Sequence, residues 1–168
     1  MNKEQYRKNI LTIIEMNKAQ PGRTLAQLDL KLADCTVTKE GPYGSVVEAG
    51  PDDKDVRYHA EFMYEPKEEH LNPYGGVHGG FIGIVFDTAL GMASASVCEK
   101  HIATTDMSVS YLRALWGNKF RVTCDYDHMG AHMIHGIGKM IDEKTGKVCA
   151  TCLISYAILD IDEPGLQV

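Results

Sequence analysis

Charge is almost missing between His78 and Glu99, where Asp87 is the single charged side chain. An unpaired carboxylate in apolar surroundings costs several kcal/mol, roughly, or has its pKa driven upward. A segment needed only as a greasy helix would carry Leu or Ala there, so Asp87 reads as chemistry. Long apolar runs are also lacking. None approaches the ~20 residues of a membrane span. Residues 79–98 come closest, and glycines, serines, a threonine and Asp87 interrupt them. No membrane association is expected. The first residues, Met1-Asn2-Lys3-Glu4-Gln5-Tyr6-Arg7-Lys8, lack the long uncharged core and small-residue cleavage site of a signal peptide. Excess positive charge is absent as well. The net charge is −6, split as +3 over residues 1–23, −6 over 24–71 and −3 over 72–168. That excludes the basic footprint of a nucleic-acid binder.

The five cysteines (Cys35, Cys98, Cys124, Cys149, Cys152) form no disulfide framework and fit a reducing, cytoplasmic compartment. Cys149-Ala150-Thr151-Cys152 has redox or zinc-like spacing. It lies in a strand-like run, however, where i and i+3 point to opposite faces, and no second pair exists. These thiols are therefore read as core. The seven histidines include no helical pair suited to a metal, and His128, His132 and His135 lie around a hairpin. No metal site is expected.

With 168 residues, 44% apolar, the chain suits one main domain with a real core. Residues 3–18 have helical spacing in Tyr6, Ile10, Ile13 and Ile14, and Gln20-Pro21-Gly22 ends that helix. The expected organisation is an N-terminal helical extension over 1–23 and the main domain over 24–168. Strands are predicted at 28–38, 44–49 and 56–64, with a Pro, Gly and Asn-rich loop over 65–77. From about 78 to 97 the apolar residues lie on all sides of a helix, so other structure must wrap it. Residues 102–115, 119–128, 132–141 and 147–159 then read as strands with short turns, a four-strand meander. The fold class is α+β: a curved antiparallel sheet around one long central helix.

His78-Gly79-Gly80 opens that helix with free N–H groups at the positive end of its dipole. Such a turn can hold a carbonyl oxygen that becomes negative during acyl transfer, and glycine lets the substrate approach closely. Asn72, in the loop before it, can donate its amide to the same carbonyl. Asp87 lies eight residues beyond Gly79, or roughly 12 Å of helical rise. Within one chain the two cannot reach one reacting carbonyl. In a symmetric dimer with antiparallel central helices, Gly79 of one copy would meet Asp87 of the other.

Asn72-x5-His78-Gly79-Gly80-x6-Asp87-x3-Gly91, followed by Thr104-Thr105-Asp106-Met107-Ser108-Val109-Ser110-Tyr111-Leu112-Arg113, resembles the hotdog-fold acyl-CoA thioesterases. The phenylacetic-acid-degradation and 4-hydroxybenzoyl-CoA thioesterase-like branch is the nearest group. The resemblance covers roughly residues 55–160. It implies a hotdog fold, acyl-CoA as substrate, no cofactor beyond the coenzyme A of the substrate, and homodimers or dimers of dimers with sites at the interface. It implies Gly79 as oxyanion donor, Asn72 as the group polarising the thioester, and Asp87 of the partner as base or nucleophile. Thr104 falls where a hydroxyl orients water, with Thr105 the runner-up and His78 and Gly80 beside the turn. The alternation over 103–111 puts Ala103, Thr105, Met107, Val109 and Tyr111 on the more apolar face and Thr104 on the other. Arg113 is the candidate for CoA phosphates, with Lys100, His101, Lys119 and Arg121 as further cations.

Two other readings share this fold: a non-catalytic acyl-CoA-binding module, and a dehydratase or hydratase pairing a His with an Asp. Binding alone does not need Asp87. The spacing of His78 and Asp87, nine residues apart on opposite helix faces, disfavours the second.

Overall fold

The computed structural model describes residues 1–20 and 24–159. The Pro21-Gly22 turn expected after the first helix, and residues 160–168 of the expected main domain, lie outside the described residues. Helix α1 spans Lys3–Lys18. Asn2 caps it, its side-chain oxygen accepting the Gln5 N–H at 3.0 Å. Tyr6, Ile10 and Ile14 recur on one face and enter the main core. The Asn9 amide donates to the Ser96 carbonyl and the Glu99 carboxylate, both at 2.9 Å. A short helix α2, Thr24–Leu28, follows.

Among the described residues, seven strands form one antiparallel sheet: β1 Lys31–Glu40, β2 Val46–Glu48, β3 Arg57–Tyr64, β4 His101–Tyr111, β5 Phe120–Met129, β6 Met133–Asp142 and β7 Val148–Leu159. Helix α3, Gly79–Cys98, lies in its concave face. The 20 residues of α3 are long and apolar enough to cross a membrane, more so than the interruptions in the sequence suggest. The sheet wraps it instead, and Val85, Phe86, Ala89, Leu90 and Ala93 are fully buried. Phe62 from β3, Phe120 and Val122 from β5, and Ile134 and Met140 from β6 complete that core.

Strand β6 packs tightly against α3 because it presents Gly136 and Gly138 where side chains would stand. A Cβ on Gly138 would lie 2.8 Å from Phe86 and 2.9 Å from Leu90. All five cysteines are free, four of them buried. Burial pushes the Cys152 thiol up to about 12.

Two expectations need correction. The last four strands do not form one meander. The sheet order is β2-β1-β3-β5-β6-β7-β4, so β4 pairs with β7 and β5 with β3. Residues 112–119 carry the chain from one side of the sheet to the other. A segment of that length spans up to roughly 26 Å when extended, ample across the mouth of a curled sheet. The first of these strands also stops at Tyr111, not at residue 115. Leu112 and Arg113 both donate to the Cys149 carbonyl, at 2.8 and 3.0 Å, which closes the ladder.

Candidate active site

The loop before α3 folds back on itself. The Leu71–Val77 bridge and the His78 N–H to His70 carbonyl bond (2.9 Å) make a narrow base. Asn72 organises the tip. Its side-chain oxygen accepts the Tyr74 N–H at 2.9 Å and the Gly76 N–H at 3.3 Å. With the oxygen so occupied, the carboxamide NH2 is the end left to meet a ligand.

At the helix start, His78 Nδ1 accepts the Gly80 N–H at 3.0 Å. The ring is an N-cap, and Gly80 is the amide it uses. Among the described residues, the Gly79 N–H has no hydrogen-bond partner, and Gly79 is a first-turn residue that lines a groove. Tyr111 donates its hydroxyl to the Gly79 carbonyl at 2.9 Å and lays its ring against the Gly79 Cα. Asn72, Gly79, Tyr111, Arg113 and Trp116 line one groove of about 350 Å³. One arm of Arg113 donates to the Val148 carbonyl at 2.6 Å, which fixes its guanidinium at the rim.

Asp87 is absent from this groove. It lies further along α3, half-buried, and accepts the Thr104 hydroxyl at 2.6 Å. Tyr156 of β7 donates to the backbone carbonyl of Asp87 at 3.0 Å and pins the helix there. Tyr126 does the same at the Leu90 carbonyl, at 2.9 Å.

The face assignment of Thr104 is reversed by a β-bulge. Thr104 pairs with Tyr156, but Asp106 pairs with Ser155, so β4 carries one extra residue at Thr105. The inward partners are Tyr156, Ile154, Cys152 and Ala150. Directly opposite residues share a face, so Ile102 and Thr104 point inward before the bulge, and Met107, Val109 and Tyr111 after it. Thr104 thus joins the apolar set instead of opposing it. Thr105 turns its hydroxyl to the Ser155 carbonyl, 3.1 Å away and outside the groove.

The other cations are dispersed. Arg121 lies on the convex face of the sheet, between buried Phe120 and Val122, and pairs with Glu61 and Glu143. His101 is exposed at the start of β4. Among the described residues, no three His, Cys, Asp or Glu side chains are grouped to hold a metal ion.

The main residue missed in the sequence is His70. It is 1% exposed and stacks on Phe81 of the first turn of α3, with centroids 4.6 Å apart. Its only sequence signal is its place between Tyr64 and Phe81 in an otherwise polar loop.

Residues 74–149 match the thioesterase superfamily. No curated protein matches the sequence. Among solved structures, the chain is similar to the Escherichia coli PaaI protein from the phenylacetic acid degradation operon. That comparison has 15% identity and a TM-score of 0.69, covering 95% of this chain and 96% of that one. It is similar to a Haemophilus influenzae thioesterase at 14% identity and TM-score 0.66, covering 89% and 92%. It is also similar to zebra fish thioesterase superfamily member 2 at 16% identity and TM-score 0.66, covering 90% and 99%. The superfamily match supports thioester hydrolysis in general. The stretch similar to the thioesterase superfamily runs from the loop before α3 to the start of β7, and the chain that carries it has the hotdog fold.

Proposed function

We propose that this protein hydrolyses acyl-CoA thioesters at sites completed by two copies of the chain. The carrying observation is the separation of the two half-sites. Asn72 and Gly79 share the groove, while Asp87 and Thr104 hydrogen-bond to each other outside it. Between them lies uncovered apolar surface. Ile84 is 37% exposed, Met107 40% and Tyr111 56%. Strand β4, which carries two of these, is the last in the sheet and, among the described residues, has an unpaired edge. A second copy placed there by two-fold symmetry covers the apolar strip and brings each Asp87 to the other copy's groove.

In this mechanism the thioester carbonyl sits on the Gly79 N–H with the Asn72 amide beside it. Both donors stabilise the oxyanion of the tetrahedral intermediate. Asp87 of the facing copy takes a proton from water as that water attacks, and Thr104 holds the carboxylate in place. Collapse expels the CoA thiolate, and the proton held by Asp87 returns to it. His78 acts through its cap, keeping the Gly79 N–H clear. The groove's Arg113 and Trp116 contact the CoA portion.

Subunit mixing tests the shared site. Asn72→Ala and Asp87→Asn homodimers should each release little CoA from acyl-CoA. After unfolding and refolding together, random pairing gives a mixed dimer with one intact site, so activity recovers to about a quarter of the wild type. No recovery, with mixed dimers demonstrably formed, removes the shared site. Thr104→Val keeps the shape and removes the hydroxyl. Because a hydrogen bond to a charged group contributes roughly 1.5–3 kcal/mol, kcat should fall about tenfold or more. Unchanged steady-state kinetics would remove Thr104 from the site.

A further inference from the structure

We infer that His70 is a positioning residue: its neutral imidazole holds the loop so that the Asn72 amide and the Gly79 N–H converge on one ligand atom. The ring is clamped from two elements. Phe81 of α3 stacks on it, and Tyr64 of β3 stacks from another side at 5.8 Å. Nδ1 accepts two bonds, from the Tyr64 hydroxyl at 2.9 Å and the Lys67 N–H at 3.2 Å. The main chain completes the hub, since the His70 carbonyl accepts the His78 N–H. Residues 71–77 therefore start and end on one histidine, and Asn72 and Gly79 stand just to either side of its two attachment points.

The charge state follows from the donors. A backbone N–H only donates, so the Lys67 N–H requires a lone pair on Nδ1. The proton sits on Nε2, and the ring is neutral. Protonating Nδ1 would set its hydrogen against the Lys67 N–H and release the clamp. The facing groups agree with this. Burial lowers the affinity of His70 for a proton below its ordinary 6.5, Glu69 raises it and Lys67 lowers it. Tyr64 is itself pushed upward by burial and stays a neutral donor. α3 contributes Phe81, which does not titrate, and the exposed cap His78 adjoins Gly79. A histidine whose folded value is depressed stabilises the fold fully above 6.5 and loses that as pH falls. The loop is thus clamped at neutral pH and loosens in acid.

The placement is independent of the chemistry, while its effect on turnover rests on the thioester-hydrolase reading. The test is therefore nuclear magnetic resonance of the whole labelled protein between about pH 5 and 8. A His78→Asn background keeps an N-cap acceptor and removes the second imidazole beside Gly79. At neutral pH the His70 ring nitrogens should show the Nε2-protonated tautomer. The Asn72 side-chain amide and the Gly79 amide should move with the same midpoint as the His70 ring. In His70→Phe, which keeps the stacking, both signals should be displaced and flat with pH. In the wild-type background, His70→Phe should lower kcat about tenfold with KM within about threefold, as a small misplacement of donors does. His70→Asn, whose oxygen replaces Nδ1 as acceptor, should restore most of that kcat.

Should these variants fail to fold, Tyr64→Phe removes one donor to Nδ1. The His70 midpoint must then rise, and the Asn72 and Gly79 midpoints with it. Asn72 and Gly79 signals that ignore the His70 titration, or stay in place in His70→Phe, overturn the inference. An absence of hydrolysis with coupled midpoints intact would sink the thioester-hydrolase reading and leave the positioning role standing.

Discussion

Asp87→Asn is expected to lower kcat for acyl-CoA hydrolysis by about a thousandfold, within the range a general base contributes. The fold should barely notice. The variant is isosteric, the Thr104 hydroxyl can still donate to the remaining carbonyl oxygen, and Tyr156 bonds the backbone carbonyl, not the side chain. Asp87 is only half-buried, so no large desolvation cost changes. The unfolding midpoint should move by no more than ~2 °C. Assaying CoA release with thermal unfolding alongside separates chemistry from collapse. A single turnover in 18O-water adds a further distinction, because label enters Asp87 only if the carboxylate itself attacks the thioester. Wild-type turnover in Asp87→Asn would remove Asp87 from the mechanism.

Gly138→Val carries the largest expected effect on stability. Strand β6 runs so close to α3 that even a methyl group at 138 would overlap Phe86 and Leu90. Both neighbours are fully buried, so neither can swing into solvent. The helix must move away from the sheet, or the strand must bow outward. Overpacking of this kind costs about 3 kcal/mol or more, which for a chain of this length lowers the midpoint by roughly 6–12 °C. Gly138→Ala should show a smaller loss with the same sign. Calorimetry of both variants checks this, and an unchanged midpoint for Gly138→Val would mean that β6 and α3 are not packed as described.

Most of the architecture can be read from residue patterns. Apolar residues on every side from about 78 to 97 required a wrapped helix, and alternation marked the strands. Helical rise alone put Gly79 and Asp87 too far apart for one carbonyl, and the groove indeed contains one and not the other. Three features were illegible for physical reasons. Strand order depends on where the sheet curls, so a short link between β4 and β5 looked like a hairpin but crosses the mouth of the fold. The bulge at Thr105 inserts one residue into a period of two, and nothing in Ala103-Thr104-Thr105-Asp106-Met107 announces it. His70 looked like a loop residue because its burial arises only when the chain folds back and Tyr64 of β3 and Phe81 of α3 close over it. His78, expected at the chemistry, is placed by its bond to Gly80 where the helix begins.

The bulge also makes the length of β4 a constraint in its own right. Thr104 and Tyr111 are separated by an odd number of positions yet both face α3, an arrangement possible only with the extra residue between them. Deleting Thr105 would leave the composition nearly intact but make the two functional ends of the strand incompatible. Either Thr104 keeps Asp87 and Tyr111 swings away from Gly79, or the reverse. Moving the supernumerary residue one place along would instead be tolerated wherever Thr104 and Met107 stay on the same side. Across variants of this segment, then, the parity of the spacing from 104 to 111 should vary less than the identities of the residues in between.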